Sequence, residues 1–279
     1  IQVLDPADNF RTLAQHSTGT GSNPKDIAFA SPQRAFVSRY DSNALLIMNP
    51  LSGQHLGTVD LSAFADGDGL CEMDHLLLAG EMLFVSIQRL DRNYWWMPVG
   101  DSYVAVIDAA TGELIDVDPE TPGIQAIALP ISNPYSDLAY DPTLNRILVS
   151  CVGLWGVGDG GIVIVNPFTL RSEGLLIDEA TAGGDIIEFE ILDATKGYMI
   201  VATPSFTTRL VPFDPSAGTV GPPLYNPPDW VINDIEISPR GELFVADQTP
   251  TAPGIWIWDA GPDTLITPAP KSTGLPPFH

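Results

Sequence analysis

The feature that most constrains this chain is a repeat. Six segments share an apolar run, then Asp or Asn, then Pro or Ala, and often Thr/Ser-Gly before a second run. They read IQVLDPADNFRTL, LLIMNPLSGQHLGTV, YVAVIDAATGELIDV, GIVIVNPFTLRSEGLL, RLVPFDPSAGTVGPPL and GIWIWDAGPDTLIT. The shared polar residue is Asp5, Asn49, Asp108, Asn166, Asp214 and Asp259, at intervals of 44, 59, 58, 48 and 45. A turn rich in Asp, Asn, Pro and Gly between two short apolar runs is a hairpin. Between the hairpins lies a second motif, DIAFASPQRAFVS, DHLLLAGEMLFVS, DLAYDPTLNRILVS, DIIEFEILDATKGYMIVA and DIEISPRGELFVA, each reading as two strands joined by a turn. In three of these the leading Asp precedes a matched Val by eleven residues: Asp26 and Val37, Asp74 and Val85, Asp234 and Val245. Two strands plus the following hairpin give four strands per repeat. One such antiparallel sheet every ~40–50 residues is a blade, so the expected fold is all-β, a β-propeller of four-stranded blades.

Residues 1–279 are expected to form one propeller domain. Five blades are full. Residues 1–16 read as the hairpin of a partial blade, and 270–279, ending TGLPPFH, as the start of a closing strand comparable with GSNPKDIAF. Because a propeller must close, N-terminal blade strands are expected to be missing ahead of Ile1. The intact ring is expected to have seven blades, with six the alternative. These repeats resemble the YVTN/NHL type of propeller repeat, and PRGELFVADQTPTAPGIWIWD is similar to SMP-30/gluconolactonase-like propellers. Essentially the whole chain also resembles secreted bacterial propeller lipoproteins. That resemblance implies an extracytoplasmic site (periplasmic, cell-surface or secreted), with a lipid anchor upstream as one possibility.

Composition narrows the partners. Thirty-five acidic residues against twelve basic ones, with only Lys25, Lys196 and Lys271 as lysines, give a net charge of −23. Such a surface repels phosphate backbones and anionic membranes and favours cations and basic partners. No apolar run reaches the roughly 18 residues of a membrane span. The 26 prolines and 25 glycines punctuate the chain too often for long helices. Cys71 and Cys151 would pair only if the protein is exported, and each also reads as a small apolar residue beside a strand.

Each repeat places an aspartate at the start of its innermost strand: Asp26, Asp74, Asp137, Asp185 and Asp234. Alternation turns the following Ile27, Leu138, Ile186 and Ile235 into the blades and leaves the aspartates facing a central channel. Converging carboxylates repel unless a cation or water separates them. Calcium, which takes six to eight oxygens in flexible geometry, is the natural occupant. The SMP-30 resemblance implies a channel metal held by acidic and amide side chains, for which Asn233 is placed. The competing reading is structural, since an Asp before a strand also caps its own turn. FADGDGL, with Asp66 and Asp68, has part of a calcium loop but lacks the later ligands and reads as a polar turn.

Loops expected on the same face carry Tyr40, Tyr94, Trp95, Trp96, Trp155, Phe206 and Trp230. LDRNYWWMPVGD is longer than its counterparts. Of two adjacent tryptophans at least one is exposed or packed over the channel mouth, where exposed aromatics serve as interface anchors. Trp256 and Trp258 instead read as core. No HExxH, GxSxG or CxxC is present, and GVGDGG lacks the Lys-Ser/Thr of a phosphate loop. Of the histidines His16, His55, His75 and His279, only His75 follows one of the repeated aspartates, at a position matching the inward Ile27 and Ile235. The expected function is a non-catalytic binding or scaffold propeller presenting an acidic, aromatic-rich loop face to a protein or other cell-surface ligand. The alternatives are a calcium-dependent lactonase- or esterase-like hydrolase using His75 and the metal, and one subunit of a cell-surface assembly.

Overall fold

The computed structural model describes residues 1–277. Five antiparallel sheets follow one another along the chain, each with its four main strands paired in sequence order. The first is Pro24–Ser31, Arg34–Arg39, Ala44–Met48 and His55–Asp60. The second is Met73–Ala79, Met82–Ile87, Tyr103–Asp108 and Leu114–Ile115, with Ile127–Ala128 also pairing to its third strand. The third is Pro134–Asp141, Arg146–Cys151, Gly161–Asn166 and Arg171–Asp178. The fourth is Asp185–Asp193, Lys196–Ala202, Thr208–Asp214 and Thr219–Val220. The fifth is Ile232–Ile237, Glu242–Asp247, Gly254–Asp259 and Thr264–Leu265. Each is the four-stranded blade of a β-propeller. Gln2–Asp5 and Arg11–Gln15 form the hairpin expected at the start. Two compact units divide the chain, residues 1–133 with two blades and the stretch from Pro134 onward with three. Within 270–279, Lys271 bridges Ile255 of the fifth blade, while residues 278 and 279 lie outside the described part.

The repeated polar residue does one job six times. Its side-chain oxygen accepts the backbone N–H two residues on: Asp5 from Ala7, Asn49 from Leu51, Asp108 from Ala110, Asn166 from Phe168, Asp214 from Ser216 and Asp259 from Gly261. These Asx turns supply the backbone with a local partner at the point where the chain must reverse. In three of the hairpins the turn ends on a glycine of positive φ, namely Gly53, Gly112 and Gly218. The equivalent residue in the third blade is Leu170, held at φ 53°.

The second strand of each blade is buried on both faces, so apolar side chains alternate between neighbouring cores. In the first unit Phe36, Leu45 and Ile47 pack with Leu83, Val85 and Ala105 between the two blades. In the second unit Ile186, Phe189 and Val201 meet Leu148 and Ile162, while Ile200 and Tyr198 meet Ile235, Val245 and Trp258. Ile27, Leu138, Ile186 and Ile235 point into the blades as alternation demands. Trp258 is buried and Trp256 packs beside it, donating from Nε1 to Asp247. Cys71 and Cys151 are free thiols, both fully buried. Burial pushes the Cys71 thiol up to about 12 and that of Cys151 higher still.

The strand register corrects one expectation. His75 does not occupy the position of Ile27. Ile27 faces Val37, Leu138 faces Val149 and Ile235 faces Val245, but the residue facing Val85 is Leu76. The physical reason is turn length: Leu78 faces Leu83, one residue closer in sequence than Phe29 to Ala35 or Ile237 to Leu243. The shared spacing of eleven therefore aligns Asp26 with Asp234 but shifts the second blade by one. His75 stands where Asp26 stands, and both donate their backbone N–H to the equivalent serines, Ser86 and Ser38. It is half-buried rather than core.

The register has an energetic signature. Leu76 and Leu78 pack on the core between the blades, whereas Leu77 points the other way. In urea unfolding, Leu76→Ala is expected to cost ~2–3 kcal/mol and Leu77→Ala less than half of that. The reverse order would mean that the second blade is paired one residue out.

Candidate binding site

All five leading strands carry an irregularity near their start, at Pro24/Ile27, Met73/Leu76, Pro134/Leu138, Ile186/Glu188 and Ile232/Asp234. A bulge leaves backbone groups without ladder partners, and side chains recover them. Asp26 accepts from its neighbour Ile27 at 2.6 Å and from Leu76 on the next blade at 2.7 Å. Thr208 accepts from Val231 and Ile232, and Ser150 donates to the carbonyl of Ile186. Asp185 accepts from Gly156 at 2.8 Å. Asp26 and Asp185 thus both serve as acceptors of backbone N–H groups.

In the first unit the centre of polarity is Asp74, 1% exposed. Gln88 donates to it at 2.8 Å and receives the Tyr40 hydroxyl at 2.6 Å. Lys25 Nζ and His75 Nε2 each lie 3.5 Å from its other oxygen. Burial raises the Asp74 pKa, opposed by His75 and Lys25. Beside it Arg92 acts as a clamp. Its guanidinium pairs with Asp41 and with the buried Glu72, reaches the Tyr40 carbonyl, and lies 5.4 Å from the Tyr40 ring and 4.8 Å from Trp96. Its own N–H donates to Asp68. The Asp66–Asp68 turn is thereby a polar turn that anchors the long loop. Trp96 stacks on Tyr40, with centroids 6.1 Å apart, while Tyr94 and Trp95 point to water. Trp95 is 88% exposed.

In the second unit the aromatics Tyr135, Trp155 and Trp230 form a row, and Phe206 stands exposed on its own turn. Asn233 accepts from the indole of Trp230. Beneath the start of the blades lie carboxylates that the repeat pattern did not single out. In register Glu188, facing Ile200, stands where Asp234 faces Ala246, so that Glu188 and not Asp185 holds that position in the fourth blade, and Glu190, facing Tyr198, matches Glu236, facing Phe244. Burial first, then the charge of Asp137, raises the Glu188 pKa well above its ordinary value, although Phe189 N–H donates to it. Burial and then Glu236 push Glu190 up to about 8. Glu190 lines a groove of about 230 Å³ with Asp137 and Ala139. Tyr135 was also unmarked by the repeat. The visible signal for the glutamates is IIEFEI, where two charged residues alternate into a strand that is otherwise apolar.

In the first unit each carboxylate oxygen of Asp26 accepts one backbone N–H, and the ammonium of Lys25 lies 3.5 Å from Asp74. Among the described residues no group of three His, Cys, Asp or Glu side chains is arranged to hold a metal ion. Asn233, the amide implied by the SMP-30 resemblance, is engaged by Trp230.

No protein-family model matches the chain, and no curated protein matches it by sequence. Solved structures do match in shape. Hydrazine synthase of Kuenenia stuttgartiensis superposes with a TM-score of 0.61 at 14% identity, over 88% of this chain and 65% of that one. This chain therefore spans just under two thirds of that protein's length. A chain of the nidogen/laminin complex gives a TM-score of 0.57 at 10% identity, over 88% of this chain and 78% of that one. A gluconolactonase of Xanthomonas campestris gives 0.56 at 14% identity, over 80% and 69%. What is shared is the propeller fold. Among the described residues no helix is long and apolar enough to cross a membrane.

The acidic cluster predicts how stability depends on pH. Glutamate in an unfolded chain titrates near 4.3, roughly, whereas Glu190 titrates at about 8 when folded. Between those values the folded state holds more protons, so stability falls as pH rises through the window. The melting temperature is expected to rise as pH is lowered from about 8.5 to about 6. Glu190→Gln is expected to melt higher than the parent at about pH 8 and to flatten the profile. Superimposable profiles for the two proteins would remove Glu190 from the cause.

Proposed function

We propose that this chain is a non-catalytic binding propeller of an extracytoplasmic compartment, which engages a protein partner through the aromatic loop that follows the second strand of its second blade. One observation carries the reading: Trp95 is 88% exposed on a loop that is otherwise tied down. Exposed tryptophan on a floppy loop would lose ordering entropy on binding. Here Arg92 fixes the loop through Asp41, Glu72, Asp68 and the Tyr40 carbonyl, so the indole is presented at little further cost. Large aromatics in such settings are the usual hot spots of interfaces. The fold likeness to a chain of the nidogen/laminin complex is in keeping with a protein partner. The acidic, lysine-poor composition and the resemblance to secreted propellers support a place outside the cytoplasm.

Two variants separate anchor from scaffold. Trp95→Ala is expected to weaken partner capture at least tenfold, with stability changed by less than about 0.5 kcal/mol, as for other surface substitutions. Arg92→Ala leaves Glu72 buried without its cation and is expected to cost at least about 2 kcal/mol. Quantitative mass spectrometry of proteins retained by parent and Trp95→Ala baits reads the first, and urea unfolding the second. Identical retention by the two baits would refute the anchor.

A further inference from the structure

The aromatic row of the second unit has a chemistry of its own. Tyr135 and Trp155 meet edge to face at 4.9 Å and 84°, and Trp230 continues the row 6.4 Å beyond Trp155. They come from three separate segments, and each residue is more than a third exposed. The rings are held in place from below. Gly156, next to Trp155, donates to Asp185 at 2.8 Å, and the Trp230 indole donates to Asn233 at 2.7 Å. A row of indole and phenol faces that is exposed but positioned suits a group that stacks on π-electrons, and cations do so best of all.

The surrounding charge selects the same class. Asp137 follows Tyr135 by two residues, Asp234 follows Trp230 by four, and both carboxylates act on Glu188. Like charges in such proximity gain most from a cation, and a chain of net charge −23 draws basic partners by its long-range field.

We propose that the Tyr135–Trp155–Trp230 row receives a basic segment of a partner polypeptide, whose arginine or lysine side chain stacks on the indoles and is neutralised by Asp137 and Asp234. This rests on the binding reading above but not on the Trp95 loop.

The test is titration of the intact chain with hexa-arginine and hexalysine peptides, followed by calorimetry and tryptophan fluorescence. Choline and a hexaglutamate peptide serve as comparison probes. Binding of the basic peptides with a stoichiometry of one is expected, weakening steeply as salt shortens the Debye length to ~10 Å or less. The double variant Trp155→Ala, Trp230→Ala is expected to bind at least tenfold more weakly, Trp155→Phe to recover part of the loss, and Trp95→Ala to bind as the parent does. Melting curves verify that each variant is folded. If the double variant does not fold, Asp137→Asn with Asp234→Asn takes its place, with the same expected loss. Basic-peptide binding that every variant retains would be adsorption to an acidic surface and would overturn the proposal, as would no binding at low salt. Choline binding as tightly as the peptides would assign the row to small quaternary ammonium ions instead. A loss confined to Trp95→Ala would overturn this site while leaving the loop reading intact.

Discussion

The blades depend on the satisfaction of backbone groups where each leading strand leaves its ladder. A buried N–H without a partner costs as much as several good contacts gain. All five leading strands break register near their start, so the problem recurs five times. The answers differ. Asp26 takes two N–H groups and ties the first blade to the second, while Thr208 does the same between the fourth and fifth with a neutral hydroxyl. The bulge also re-aims the residues beside it. Positions that would continue the apolar alternation are turned outward there, and the polar and aromatic side chains gather at those strand starts.

Charge is distributed unequally between the two units. In the first, each buried carboxylate has a cation at hand: Lys25 for Asp74, Arg92 for Glu72. In the second, Glu188 and Glu190 are raised by burial and by each other's neighbours rather than lowered by a partner. Removing water from like charges is unfavourable, and a fold keeps such an arrangement at the cost of stability. That tension sits in the leading strands, beside the most exposed aromatic row of the same unit.

Much of the architecture was legible because hairpins advertise themselves. An Asp or Asn followed by Pro or Ala marks a turn through its own hydrogen bond, and all six such residues make that bond. The blade boundaries followed from it. The site was less legible, because residue type does not reveal register. Asp74 and Asp26 share a spacing to their valines, yet one shorter turn moves Asp74 into the interior and brings His75 to its place. Asp26 reads as a candidate ligand, and its carboxylate accepts the N–H groups of Ile27 and Leu76. Tyr135 was missed because nothing in the repeat picks it out, and Glu188 because Asp185, three residues earlier, reads as the repeated aspartate although Glu188 holds its register position. Trp95 and Trp96 were readable as a pair, but which of them faces water was settled by Arg92, which lies on the Trp96 ring.

Cys71 and Cys151 acquire a use from their positions. One thiol lies in each compact unit, both are free and fully buried, and burial holds both in the unreactive protonated form. Neither can meet an alkylating reagent until the strands around it open. The rate at which each is labelled is therefore a clock for opening of the strands around it. The fold carries its own pair of reporters, one for the two-blade unit and one for the three-blade unit, without any engineered probe.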